Sequence, residues 1–96
     1  LVQETVEGTI VYISPEQTGR LGRFVDYRSD IYSLGVTLYE MFADRAPFIS
    51  DDFMELIHLH IAKTPVPPHE VHDQIPTCLS KVILKCLAKE PEARYA

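Results

Sequence analysis

Apolar positions crowd one stretch of this chain so densely that a helix there comes with a demand for neighbours. At about 100° per residue, Ile31, Tyr32, Leu34, Val36, Leu38, Tyr39, Met41 and Phe42 cover an arc of roughly 220°. A surface helix needs an apolar stripe of only about 100°. The spacing therefore predicts a helix from Arg28 to Ala43 that is buried on most sides. Its narrow polar arc, Asp30, Ser33, Thr37 and Glu40, consists mostly of short side chains suited to hydrogen-bonding something close. Gly35 lies inside this helix, where glycine costs about 1 kcal/mol relative to alanine. Close backbone packing is the expected reason for it.

The flanking patterns are weaker. Residues 1–27 read mostly as loop, punctuated by Gly8, Pro15, Gly19 and Gly22. Within them a short helical turn is expected at Ser14-Pro15-Glu16, since Ser caps well and Pro suits the first helical position. Arg20 to Arg23 is read as a loop with local positive charge, and Leu1 to Glu7 carries no helix-start signal and reads like a cut. Arg45 to Phe48 is a turn. Residues 52–63 form an amphipathic helix with Phe53, Ile57 and Ile61 on one line and Asp52 or a neighbouring acid as cap. Thr64 to His69, with Pro65, Pro67 and Pro68, is expected to be extended. Residues 77–88 place Leu79, Val82, Ile83, Cys86 and Leu87 on one helical face, with Lys81, Lys85 and Lys89 on the wet side. The predicted class is mainly α, without strands or repeats. Two amphipathic helices and loops cannot cover a helix that is apolar over most of its circumference, and exposed apolar surface costs about 25 cal/mol per Å². The chain is accordingly expected to be incomplete as a domain, part of its shell coming from elsewhere.

Composition narrows the functional classes. With 96 residues, 46% hydrophobic and 24% charged, this is a globular chain of one domain at most. A net charge of -5 with no Lys or Arg run argues against nucleic-acid binding. No apolar run approaches the roughly 18 residues needed to span a bilayer, so neither membrane insertion nor a signal peptide is expected. Cys78 and Cys86 are eight positions apart on one helix, about 12 Å and beyond disulfide reach. Two reduced thiols fit a cytoplasmic protein. His58 and His60 point about 200° apart on a helix and cannot share an ion, and His69 and His72 have only carboxylates nearby. No metal site is predicted. Pro65-Val66-Pro67-Pro68 could pass for an SH3-type ligand, but a rigid loop is the commoner meaning.

Three strings, in order, carry a family resemblance: Gly8-Thr9-Ile10-Val11-Tyr12-Ile13-Ser14-Pro15-Glu16, then Asp30-Ile31-Tyr32-Ser33-Leu34-Gly35, then Lys89-Glu90-Pro91 through Arg94. Together they resemble the second half of the large lobe of a eukaryotic-type serine/threonine protein kinase, from the end of the activation segment onward. The resemblance covers Gly8 to Tyr95. It implies the C-terminal-lobe portion of the protein kinase fold, with about three main helices. By the same resemblance Gly8, Thr9 and Tyr12 form the wall that receives the substrate residue after the phosphorylated one. Thr9 would hydrogen-bond the catalytic aspartate, as is typical of Ser/Thr rather than Tyr kinases. Asp30 would accept N–H bonds from the catalytic loop, a role that suits a carboxylate at a helix N-terminus; on its own it reads as an ordinary first-turn acid. Glu16 and Arg94 occupy positions that the family pairs as a buried salt bridge, against a plainer reading as two surface charges. Thr5 lies where many kinases are phosphorylated, although an exposed loop threonine is the preferred reading, since its Arg partners would lie outside this chain. Ser14 stands for the usual Ala, Tyr32 for the usual Trp, and Asp44 for the Gly usual in its turn.

Finer strings, Ser14 to Arg20, Asp26 to Asp30 and Ile57 to Lys63, look like the N-terminal kinase domain of multidomain sensor histidine kinases, which implies downstream sensor and histidine kinase domains as partners. Absent are the Gly-rich loop, the strand Lys, the His-Arg-Asp loop and Asp-Phe-Gly, which hold nucleotide, metal and proton. The chain alone is expected to bind no cofactor and to be inert. ATP and Mg²⁺ are implied for the parent, which would phosphorylate Ser or Thr of a protein substrate. This segment would supply substrate docking and support of the catalytic loop, and would offer the helix over residues 53–63 to partners. The rival expectations are a pseudokinase parent and a free-standing helical interaction module.

Overall fold

The computed structural model describes residues 12–19 and 26–95. Four α-helices and two short 3-10 turns make up these residues, and no strand occurs among them. In chain order they are a 3-10 turn at Pro15–Thr18, α1 (Tyr27–Ala43), α2 (Phe53–Ala62), α3 (Pro68–Val71), α4 (Thr77–Cys86) and a second 3-10 turn at Pro91–Ala93.

Each start has a chemical cause. The Asp26 carboxylate accepts from the Arg28 backbone N–H at 2.9 Å, so α1 begins one residue earlier than the periodicity places it. Asp52 caps α2 in the same way, accepting from Met54 N at 3.0 Å. At the first 3-10 turn the Gln17 side chain accepts from both the N–H and the hydroxyl of Ser14, at 2.9 and 3.0 Å. The α1 terminus is unusual, because Asp44 adopts the left-handed conformation that favours glycine (φ 63°) while its N–H bonds the Glu40 carbonyl at 3.0 Å. The replacement of glycine thus leaves the turn geometry of a glycine in place.

α1 and α4 pack along the main seam, and α3 rests against both. Tyr32, Val36, Tyr39 and Ala43 of α1 meet Ile83 and Leu87 in one core. Side chains such as these contribute about 1.5–3 kcal/mol each when fully buried. At Gly35 a Cβ would lie 2.7 Å from Cys86 Cβ and 3.1 Å from Leu87 Cδ2, so glycine is there to let the helices approach. A second core joins Phe48 to Leu56 and Ile57 of α2, and Ile13 packs against it from the segment before the first 3-10 turn.

Several expectations need correction. The Thr64–His69 connector is not extended throughout: Pro68 takes the first position of α3, where its fixed φ helps and its missing N–H costs nothing. The α3 segment is held by His69 Nδ1 at 2.8 Å from Ser80 Oγ. α2 buries Leu56, Ile57 and His60, whereas Phe53 stays about half exposed, so the buried face is turned from the expected Phe53-Ile57-Ile61 line. Lys89 is not on the wet side. It lies beyond the end of α4, partly buried, with its ammonium 4.3 Å from the centre of the Phe48 ring. On α1, Leu34, Met41 and Phe42 remain exposed, so the described residues cover only part of its apolar circumference.

Candidate functional site

The polar stripe of α1 does find something close. Ser33 Oγ donates to the Tyr12 carbonyl at 2.8 Å, tying the segment before the first 3-10 turn to the helix. One turn on, Thr37 Oγ returns to its own helix and donates to Ser33 O at 3.1 Å. The Tyr12 phenol interacts with the Glu40 carboxylate; that hydrogen bond first, then burial and the negative charge, raise the phenol above its ordinary value. Asp30 stands exposed on the first turn of the same stripe, and its carboxylate bonds no other described residue. Gly8, Thr9 and Thr5 lie outside the described residues.

Below this stripe is a buried ionic joint. The Glu16 and Arg94 side chains are both 0% exposed and meet as a fork, Nη1 to Oε2 at 2.7 Å and Nη2 to Oε1 at 2.9 Å. Ser29 Oγ also donates to Oε2 at 2.6 Å. Burial pushes the Glu16 carboxyl up, but the Arg94 and Ser29 hydrogen bonds outweigh it and hold the group below its ordinary value. Arg94 additionally donates from Nε to Ala88 O (2.8 Å), from Nη1 to Arg28 O (2.9 Å) and from Nη2 to Lys89 O (3.2 Å). A guanidinium has five N–H donors, and here each has an acceptor. The joint thereby fastens the first 3-10 turn, the start of α1 and the C-terminal turn to one another.

Aromatic rings extend the joint. The Arg94 guanidinium lies 4.9 Å from the Tyr32 ring centre. The Tyr32 hydroxyl is 2.8 Å from His60 Nδ1, and burial raises it well above its ordinary value. His60 meets both Tyr32 and Phe48 edge-on, with centroids 5.7 and 5.2 Å away. Over Phe48 lies Lys89, whose ammonium donates to Leu59 O at 3.2 Å. Burial, then the nearby Arg94 charge, lower the Lys89 amine to about 8.

Sequence reasoning placed Glu16 and Arg94 together but missed Ser29, His60 and Lys89. One clue was available: Tyr32 replaces an indole at the centre of a buried helix, and its hydroxyl needs a partner. Lys89 had no such clue, because its wet-side assignment assumed that α4 continues beyond Cys86. Tyr39 is a further case, donating to Val66 O at 2.6 Å and so holding the connector that follows α2.

Comparison with known proteins agrees with this architecture. The family model for the protein kinase domain matches residues 2–96. The hybrid signal transduction histidine kinase G of Dictyostelium discoideum is 48% identical over 87 residues, which is 91% of this chain and 2% of that protein. Serine/threonine-protein kinase PknB of Mycobacterium leprae is 47% identical over 90 residues, 94% of this chain and 14% of the relative. A probable serine/threonine-protein kinase of Clostridium acetobutylicum is 44% identical over 90 residues, 94% of the chain and 13% of the relative. The chain thus spans between 2% and 14% of the length of these relatives. A helical array without strands among its described residues, matched over nearly all of its length, is the C-terminal-lobe portion of the kinase fold, and the chain belongs to the protein kinase domain family.

Proposed function

We propose that the polypeptide carrying this chain is a serine/threonine protein kinase that transfers the ATP γ-phosphate, with Mg²⁺, to Ser or Thr of a protein, in cytoplasmic signal transduction. In this reading Gly8, Thr9 and Tyr12 form the wall for the substrate residue after the phosphoacceptor, and Thr9 bonds the catalytic aspartate. Asp30 accepts N–H bonds from the catalytic loop. Glu16, Arg94 and Gly35 hold that support in place, and Thr5 is a position for an activating phosphate, which would add about -1.5 to -2 charges. The observation that carries the reading is the bond from Ser33 to the Tyr12 carbonyl. It ties Tyr12, the described member of that wall, to the same helical stripe that presents Asp30.

ATP and Mg²⁺ do not fit the residues present here, because the sequence has no Gly-rich phosphate loop, no Asp-Phe-Gly and no His-Arg-Asp loop. Those groups would come from other residues of the kinase domain. Two free thiols support the cytoplasmic reading. Among the described residues, no helix is long and apolar enough to cross a membrane.

The test is phosphotransfer by a polypeptide carrying this chain within a whole kinase domain, with Ser, Thr and Tyr peptides as acceptors. Ser and Thr peptides are expected to be labelled and Tyr peptides not. Asp30→Asn is expected to lower kcat roughly a hundredfold by loosening the catalytic loop, with a smaller change in peptide KM. Absence of transfer to any hydroxyl, with the upstream catalytic aspartates replaced, would leave a binding scaffold in place of an enzyme.

A further inference from the structure

Lys89 has no part in substrate docking or loop support, yet its surroundings are those of a reactive amine. It sits where the C-terminal turn meets the second core and is only partly exposed. Its Nζ donates to Leu59 O, in the last turn of α2, at 3.2 Å and lies 4.3 Å from the centre of the Phe48 ring. Arg94 is fastened beside it, since Nη2 of that guanidinium donates to the Lys89 carbonyl at 3.2 Å. No carboxylate pairs with the Lys89 ammonium among the described residues, and the charge that acts on it is that of Arg94. His60 of α2 meets the other side of this contact through the Phe48 ring, and Glu90, next in sequence, is exposed.

A lysine desolvated by apolar groups and placed next to a second cation gives up its proton readily and becomes a nucleophile. Burial, then Arg94, bring this amine down to about 8. An ammonium has three N–H donors. With one committed to Leu59 O and the ring on another side, the lone pair left by deprotonation is directed away from both. The partial exposure of the side chain leaves that direction open to a small reagent.

We propose that Lys89 is a modification site whose amine takes an acyl group from an activated donor, an acyl phosphate or an acyl thioester. The Nζ lone pair attacks the acyl carbonyl carbon and a C–N bond forms. The bond from that carbon to the phosphate oxygen or to sulfur breaks with its electron pair, and the proton released from nitrogen goes to the leaving group or to water. The product is a neutral amide where an ammonium had faced Arg94, so the like-charge contact is removed. The assignment rests on this cluster of groups and is independent of the kinase reading.

The test treats the polypeptide carrying the whole kinase domain with acetyl phosphate and, separately, with acetyl-CoA, and follows each lysine by peptide mass spectrometry. Lys63, Lys81 and Lys85 are exposed and serve as internal standards. At about pH 7.5 Lys89 is expected to acetylate roughly tenfold faster than these with at least one donor. The donor that reacts tells the phosphate source from the thioester source. In concentrated urea the preference is expected to vanish, because the fold creates it. The Lys89 rate should level off above about pH 8 in the folded protein and keep rising in urea. Labelling no faster than that of the exposed lysines with both donors overturns the proposal, as does a preference that survives unfolding.

Discussion

Asp26–Arg28 and Glu16–Arg94 are both carboxylate–guanidinium pairs, and both close to 2.7 Å. They even touch: the carbonyl of Arg28 accepts from Arg94. Yet one pair has side chains 31 and 37% exposed, and the other is wholly buried. Water screens the first and offers each partner a substitute. For the second, the only substitutes are the groups already built around it. Equal distance therefore says little about worth; what differs is the state of each partner once the other is removed.

Removing a partner should break this comparison most clearly. Arg94→Ala is expected to cost the polypeptide about 3–5 kcal/mol in chemical denaturation, because it strands Glu16 in a dry site. It also takes the donor from the Ala88, Arg28 and Lys89 carbonyls. Glu16→Ala should cost less than Arg94→Ala, since Arg94 keeps those three carbonyls. Arg94→Lys should not rescue, for an ammonium cannot reproduce the fork. A loss below about 1 kcal/mol for Arg94→Ala would place the buried pair in the same class as the exposed one.

Packing offers the next largest effect. Gly35→Ala brings a methyl to within 2.7 Å of Cys86 Cβ, and overpacking of this kind costs about 1–3 kcal/mol. Gly19 is the control: it has φ 74° and nothing within 4 Å of a Cβ, so Gly19→Ala carries backbone strain alone. Comparing the two by thermal melting separates a need for space from a need for conformation.

The pH profile sharpens the contrast through sign. Glu16 has a lowered folded value, so its contribution is complete above the ordinary carboxyl range and is lost as pH falls through the lower, folded value. Lys89 is also lowered, but for an amine this means that the unfolded chain binds more protons between about pH 8 and 10.5. Stability should therefore rise with pH from about 8 until the tyrosines, whose values are raised, begin to ionise in the unfolded chain. Lys89→Met should flatten that rise in pH-dependent melts, and an unchanged profile would remove Lys89 as its source. The smallest effect belongs to the exposed pair: Arg28→Ala should leave the thermal melt almost unmoved, and salt should shrink even that.

What was legible in the sequence follows the same division. Periodicity placed α1, α2 and α4 because apolar spacing is local. Gly35 could be read because a helical glycine is costly without a reason. Glu16 and Arg94, 78 positions apart, share no local signal, and only the family resemblance brought them together. Lys89 was sent to the wet side and His60 was weighed only as a metal ligand, whereas here rings and carbonyls from distant elements receive both. The α3 turn was hidden by three prolines, of which the last initiates a helix. Asp30 and Tyr12 could be named from motifs and Ser33 from the polar arc of the helix, but the acceptor of Ser33 is the Tyr12 backbone carbonyl, which no side-chain pattern announces.

The close approach at Gly35 also gives the molecule an internal clock. Cys86 is buried under that seam and its thiol is raised by burial, whereas Cys78 on the same helix is exposed. A thiol reagent meets Cys78 at once and can reach Cys86 only when α1 and α4 part. The slower of the two labelling rates thus counts how often the seam opens, without any engineered probe.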